Sequence, residues 1–131
     1  MLQRWLASNS YNPDINKDMK TIDATNKKLG RVASEAASIL RGKDLVSFTP
    51  HVFADIKVEI TNAGKINADD TKKRTKIYKR YSGYPGGQRE LSLERITEKK
   101  GMKEAVRIAV RGMLPPNKLR AKMLRNLTIT D

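Results

Sequence analysis

Segments of strand character alternate with segments of helical periodicity along this chain, and this alternation limits the fold to a few layered architectures. Residues 20–24 predict a short strand, after which Thr25 and Asn26 are suited to cap a helix. Apolar residues then recur over residues 28–41 at helical spacing, followed by a glycine that predicts the helix end. Over residues 56–60 apolar and charged residues alternate, a period of two that predicts a second strand.

The second half of the chain continues this alternation. A helix with a clear apolar face is predicted over residues 102–113, and a pair of prolines follows it. Asn117 is suited to cap a final short helix, and residues 127–129 can form a closing strand. The alternation predicts an α/β layer fold with a largely parallel sheet, to which residues 71–89 add a basic loop or irregular ribbon and residues 1–19 an N-terminal extension.

The length and the rare residue types exclude several classes of protein. With 131 residues the chain suits one domain, which we place at residues 20–131 after an extension at residues 1–19. Cysteine is absent, which excludes disulfides and thiolate chemistry, and His51 is the single histidine, which excludes a histidine-rich metal site. The sequence shows no apolar run near the ~18 residues of a membrane span and no secretory or transit signal. We therefore expect a soluble intracellular protein.

Basic residues outnumber acidic residues by 27 to 14, and the excess is confined to two segments. Residues 71–89 hold seven basic residues and residues 107–125 hold six, and neither segment contains an acidic residue. These thirteen account for the whole net charge of +13, so the rest of the chain is balanced. Concentrated positive charge gains affinity for phosphate backbones by releasing counterions, whereas a merely soluble surface usually mixes both signs. The pattern favours nucleic acid as the partner.

The first basic segment combines its cations with tyrosines and glycines. Tyr78, Tyr81 and Tyr84 can stack on unpaired bases or donate to a phosphate, although at least one is expected to pack on the body. Residues 82–87, Ser-Gly-Tyr-Pro-Gly-Gly, lack the lysine of a P-loop. We expect a tight turn there, whose glycines let a phosphate backbone approach closely.

The second basic segment lies on two predicted helices, each with cations three or four residues apart. Such ridges suit phosphates spaced along a backbone, although one ridge alone is equally consistent with a soluble helix. The ridge members are Lys103, Arg107 and Arg111 on the first helix and Lys118, Lys122 and Arg125 on the second.

Several stretches of the chain resemble the bacterial-type ribosomal protein uL13 (L13) family of the large subunit, in the order and with the spacing of that family. The strings SGYPGG at residues 82–87 and AVRGMLP at residues 109–115 are specific to it. The other matching stretches are residues 22–25, 29–34, 40–43, 49–52, 60–63, 117–119 and 123–124.

The resemblance implies one domain of three α/β/α layers with a small, mostly parallel sheet, bound to large-subunit rRNA of the 23S type beside neighbouring ribosomal proteins. It also implies early entry into subunit assembly, no enzymatic activity, no cofactor or metal, and neither a membrane nor a small-molecule substrate as partner. Together with the charge pattern, it gives as candidate RNA-binding residues Arg31, Arg41, Lys43, His51, Lys72, Lys73, Arg74, Lys76, Lys79, Arg80, Tyr81, Ser82, Tyr84, Gly86, Gly87, Arg107, Arg111, Lys118, Arg120, Lys122 and Arg125.

The sequence departs from the family pattern in three places. Residues 19–21 replace an aromatic pair that commonly precedes the first strand, and residues 53–54 replace a more polar pair. The longer tail with a His-Pro pair, common in bacterial relatives, does not follow Asp131, so contacts of that tail are not carried over to this chain.

Two other function classes stay open from the residues alone. One is a nucleic-acid-binding module outside the ribosome, which selective binding to duplex DNA would favour. The other is an enzyme that uses the glycine-rich loop, which turnover of a nucleotide would favour. The missing P-loop lysine and an isolated His51 without a nucleophile partner speak against the enzyme.

Overall fold

The structure, a computed structural model, describes residues 19–131, so the predicted extension lies outside the described residues apart from Met19. Five strands and five α-helices follow one another in this part of the chain. In chain order they are β1 (Lys20–Asp23), α1 (Leu29–Leu40), β2 (Val58–Thr61), a 3₁₀ turn (Ala63–Lys65), α2 (Asp70–Thr75), β3 (Ile77–Tyr81), β4 (Gln88–Ser92), α3 (Leu93–Lys100), α4 (Met102–Met113), α5 (Leu119–Arg125) and β5 (Leu127–Ile129).

Strands β1, β2 and β5 form a small parallel sheet with β2 in the centre. The register places Ile22 beside Ile60 and Ile60 beside Ile129, so these three isoleucines line one face. Ile22 and Ile60 are buried, whereas Thr21 and Thr128 on the other face are exposed. The predicted α/β class with a small parallel sheet is confirmed.

Helix α1 packs against both the sheet and α4, and its small side chains allow this close approach. Val32, Ala33 and Ala36 are completely buried, as are Val106 and Val110 on α4. Helix α4 spans the residues that its apolar spacing predicts, and no polar or charged residue in the described part of the chain is buried. The core is therefore purely apolar and every described charge lies at the surface.

The start of α1 differs from the prediction. The helix begins at Leu29, and Thr25 and Asn26 belong to the preceding turn. The Asp23 carboxylate accepts hydrogen bonds from the Thr25 backbone N–H at 3.0 Å and from its hydroxyl at 2.7 Å, while Asn26 takes a positive φ of 56°. An aspartate that binds the backbone two residues ahead stabilises a turn, which competes with helix capping. The predicted helix end is confirmed, because Gly42 follows the last turn with φ at 75°.

The first basic segment forms regular secondary structure, where the sequence predicts a loop or irregular ribbon. It begins in the short helix α2 and continues in an antiparallel hairpin of β3 and β4 with five paired positions in the ladder. Most of its side chains are exposed on both faces, so the alternation of polar and apolar residues that identifies a half-buried strand is missing. The end of the chain follows the prediction: the Asn117 side chain accepts from the Arg120 backbone N–H at 3.1 Å near the start of α5, and β5 closes the sheet.

Truncation of the central strand is expected to be costly. Replacing Ile60 with alanine leaves a cavity between the sheet and its helices, which should lower the free energy of unfolding by about 3 kcal/mol. Ile77→Ala, at a position that is 50% exposed on β3, is the matched control and should cost less than about 1 kcal/mol. Urea denaturation of both variants measures the difference, and equal losses would contradict the described core.

Acid is expected to weaken the junction between β1 and β2. Hydrogen bonds from the Thr25 hydroxyl and backbone, and from Asn62, lower the pKa of Asp23 from 3.8 to about 2. A carboxyl group whose pKa is lowered by folding stabilises the fold fully above its unfolded pKa, and this contribution is lost as the pH falls through its folded pKa. NMR titration should therefore find the Asp23 pKa near 2 in the parent and closer to 3.8 in Thr25→Val. Equal values in the two proteins would show that the hydroxyl donates nothing.

Candidate nucleic-acid interface

The hairpin of β3 and β4 extends from the body and is anchored to it near its base. Tyr78 packs against the core beside Leu91, its direct partner in the ladder, and burial raises the pKa of the Tyr78 hydroxyl. The Lys76 ammonium lies 5.7 Å from the centre of the Tyr78 ring. Tyr81 and Tyr84 are 68% and 75% exposed. One tyrosine of the three therefore holds the hairpin, and the other two are free to stack on a ligand.

Residues 82–87 form the tight turn that the sequence predicts. Pro85 is followed by Gly86 with φ at 72°, and the Gly87 N–H donates to the Tyr84 carbonyl at 3.0 Å, as in a type II turn. A Cβ at position 87 would meet the Tyr84 carbonyl oxygen at 2.9 Å and collide with the Ser82 hydroxyl. A Cβ at Gly86 would meet open space. Gly87 is thus required by the turn itself, and Gly86 by its positive φ.

The two faces of the hairpin differ in charge. On one face the Lys79 ammonium lies 3.5 Å from the Glu90 carboxylate, which also accepts from the Gln88 amide at 3.1 Å. On the other face Arg80 stands directly opposite Arg89. Both arginines are exposed. The first face is neutralised within the hairpin, whereas the second presents two adjacent positive charges.

The ridge on α4 lies off its buried stripe, as expected, but one of its members is already paired. The Lys103 ammonium bridges to the Asp131 carboxylate at 3.0 Å, whereas Arg107 and Arg111 are exposed. On α5, Lys122 and Arg125 are also exposed. The free part of the ridge on α4 therefore consists of Arg107 and Arg111, and α5 carries further exposed cations.

Four further candidates lie on α1 or in the loop after it: Arg31 is in the first turn of the helix, and Arg41 directly follows its last residue. Arg31 borders a shallow groove on α1 that also includes Asp44, and Arg41 is half-buried beside a small cavity of about 90 Å³. Lys43 and His51 are exposed in the following loop. These four residues belong to neither basic segment, and their resemblance-based assignment stays a prediction.

Lysines, and no arginines, form the ion pairs of the described residues. The five pairs are Lys20–Asp44, Lys27–Glu35, Lys73–Asp70, Lys79–Glu90 and Lys103–Asp131. None of the ten arginines of residues 19–131 has a carboxylate oxygen of another described residue within 4.0 Å. A guanidinium offers a planar fork of donors that matches a phosphate, so these unpaired side chains are suited to bind a polyanion.

Sequence reasoning missed some of these distinctions. In the sequence Lys79 and Lys103 cannot be told from free cations, because their partners Glu90 and Asp131 come near them only in the folded chain. Arg89 belongs to the first basic segment but is not among the candidate residues, because its position opposite Arg80 follows from the hairpin register. No group of three histidine, aspartate or glutamate side chains able to hold a metal ion occurs in the described region. No helix there is long and apolar enough to cross a membrane.

Known proteins resemble this chain over almost its entire length. The family described as ribosomal protein L13 matches residues 17–130. A large ribosomal subunit protein uL13 of Natranaerobius thermophilus is 45% identical over 116 residues, which is 88% of this chain and 80% of that protein. The uL13 proteins of Salinispora arenicola and Chlamydia caviae are 41% and 42% identical, covering 92% and 87% of this chain and 83% and 75% of their own lengths.

Gly87→Ala is expected to open the hairpin turn, because its Cβ has no room beside the Tyr84 carbonyl. The amide hydrogens of Ser82 and Gly87 should then exchange with solvent several-fold faster, as NMR can measure. Gly112→Ala is the control: its Cβ meets nothing within 4 Å on α4, and it should stabilise the protein by about 0.5–1 kcal/mol. Unchanged exchange in Gly87→Ala would contradict the described turn.

Proposed function

This chain belongs to the ribosomal protein L13 family, and we propose that it binds large-subunit rRNA of the 23S type through its two basic segments and supports early assembly of the subunit. The role is structural rather than enzymatic. Its partners are the rRNA and neighbouring large-subunit proteins, within the ribosome of the cytoplasm. We assign the binding to a single domain at residues 20–131.

The observation that carries this proposal is the set of exposed, unpaired arginines on the hairpin, α4 and α5. A carboxylate partner would hold a guanidinium in place and cancel its charge. Arg80, Arg107 and Arg111 are exposed and have no such partner among the described residues. Their donors are available for phosphate oxygens, which accept two parallel bonds from one guanidinium. Family membership identifies the polyanion as rRNA.

The two segments support different parts of the recognition. The arginines and lysines of α4 and α5 form a ridge on packed helices, which suits a phosphate backbone of fixed shape. The hairpin adds Tyr81 and Tyr84, whose exposed rings can stack on unpaired bases in loops and bulges. Because both surfaces consist of this chain's own residues, binding to the rRNA needs no side chain from a second protein, which supports a place early in assembly.

Salt dependence provides the first test of the proposal. If five to eight phosphates are neutralised, the logarithm of the binding constant for large-subunit rRNA should fall with the logarithm of salt concentration with a slope of roughly −4 to −7. Filter binding over a salt series gives the slope, and duplex DNA of equal length serves as competitor. A slope near zero, or a preference for the duplex DNA, would refute the proposal.

The paired change Arg107→Glu and Arg111→Glu should abolish rRNA binding and leave a folded domain. Both side chains lie off the apolar stripe of α4, and glutamate is a good helix former. Two carboxylates to which Arg111 could otherwise be anchored have other partners: Asp23 accepts from Thr25 and Asn62, and Asp55 from Asn126 at 2.8 Å. Circular dichroism and filter binding on one sample measure fold and affinity.

A matched control for this change is available on α3. Lys99→Glu together with Lys100→Glu alters the charge by the same amount at two exposed positions outside both basic segments. This control should lose only the weak, long-range part of the attraction, roughly tenfold or less in affinity at physiological salt. If both double variants bind equally weakly, net charge alone governs binding and the ridge assignment is wrong.

A further inference from the structure

The ladder of the hairpin contains one unfavourable pair. Arg80 stands directly opposite Arg89, and residues directly opposite in an antiparallel pair have Cβ atoms roughly 4.5–5.5 Å apart. Like charges at such positions destabilise the ladder. Both side chains are exposed, so solvent screens the repulsion without removing it.

The neighbouring pair in the same ladder has opposite charges that neutralise each other. Lys79 stands opposite Glu90, with 3.5 Å between ammonium and carboxylate. Neither Arg80 nor Arg89 has a carboxylate within 4.0 Å in the described part of the chain. The hairpin thus balances its charges at one pair and leaves two cations together at the next.

The position of the arginine pair makes it accessible to a large ligand. Side chains two residues apart on a strand share a face, so Arg80 lies on the face of Tyr78, which packs against the body. Arg80 is two residues nearer the turn than Tyr78, in the part of the hairpin whose side chains are exposed on both faces. The next position on that face is Ser82, whose N–H donates to the Gly87 carbonyl at 3.4 Å and closes the ladder.

We propose that Arg80 and Arg89 together bind one phosphate group, and that this phosphate tightens the hairpin by replacing their repulsion with two charge-assisted contacts. The proposal rests on the proposed function in one respect, namely that the phosphate belongs to the rRNA backbone. The site itself requires only the chemistry of a phosphate between two guanidinium groups.

The first experiment uses the protein without RNA and inorganic phosphate as the probe. Hydrogen exchange of the β3 and β4 amides is measured by NMR in sodium phosphate and in sodium chloride at equal ionic strength. The parent should gain several-fold more protection in phosphate than in chloride. Arg89→Gln should be better protected than the parent at low salt, and should respond equally to both salts.

A matched control shows whether the hairpin position matters. Arg95→Gln removes one exposed arginine from α3 with the same change of charge, and it should behave like the parent. If the amides of the parent are equally protected in phosphate and in chloride, the salts only screen the repulsion between the arginines, and the proposal is wrong. A response to a glutamate-rich peptide but not to phosphate would overturn it in favour of a protein partner.

The second experiment tests whether the two arginines share a single phosphate of rRNA. Arg80→Gln, Arg89→Gln and the double variant are compared by the slope of log affinity against log salt. For one shared phosphate, each single change should leave the slope nearly unchanged because the remaining arginine still neutralises that phosphate, whereas the double change should reduce the slope by about one unit. A reduction of about two units in the double variant would indicate two separate phosphates and refute the sharing.

The two experiments separate this site from the proposed function. If the parent fails to bind rRNA, the proposed function is wrong, and the phosphate experiment still decides the site. If the parent binds rRNA and no arginine variant changes the slope, the proposed function stands and the shared site is wrong.

Discussion

The fold depends on the close packing of α1 against the central strand and against α4. Small side chains make this possible: Ala33 and Ala36 are completely buried, and they let the helix approach the sheet around Ile60. Because the interior holds only apolar groups, none of the described charges is needed to fill or neutralise a buried site. Packing of the core therefore does not determine where the surface charges lie, and binding can determine it instead.

That freedom explains how this domain tolerates a net charge of +13. Lysines take the few carboxylates within reach, which reduces local repulsion with flexible, weakly stabilising pairs. The arginines of residues 19–131 form no ion pair with any described carboxylate, and at Arg80 and Arg89 the hairpin places two of them side by side. An unfavourable local arrangement in an otherwise consistent fold is typical of a position where function, rather than stability, determines the residues.

The sequence was informative wherever an element is half-buried. Helix α4 matches its apolar spacing over residues 102–113, and β2 includes three of the five residues of the alternating segment at 56–60, because one side of each meets the core. The sequence does not predict the hairpin, because little of it is buried and its strands therefore lack alternating polar and apolar residues. The pairing of its strands is determined by the turn between them. The division of the candidate site into paired and free cations depends on tertiary neighbours: Lys103 and Asp131 lie 28 positions apart in sequence.

The order of strands in the sheet has a consequence for biosynthesis. The central strand β2 pairs on one side with β1, which precedes it, and on the other with β5, about 70 residues later. At translation rates of 5–20 residues per second, one edge of β2 therefore stays open for roughly 3 to 14 seconds while the intervening chain is made. Open edges recruit other strands, and charged residues on an edge oppose this. Lys57 directly before β2 and Glu59 within it are such charged residues, a composition typical of strands that resist pairing with the wrong partner.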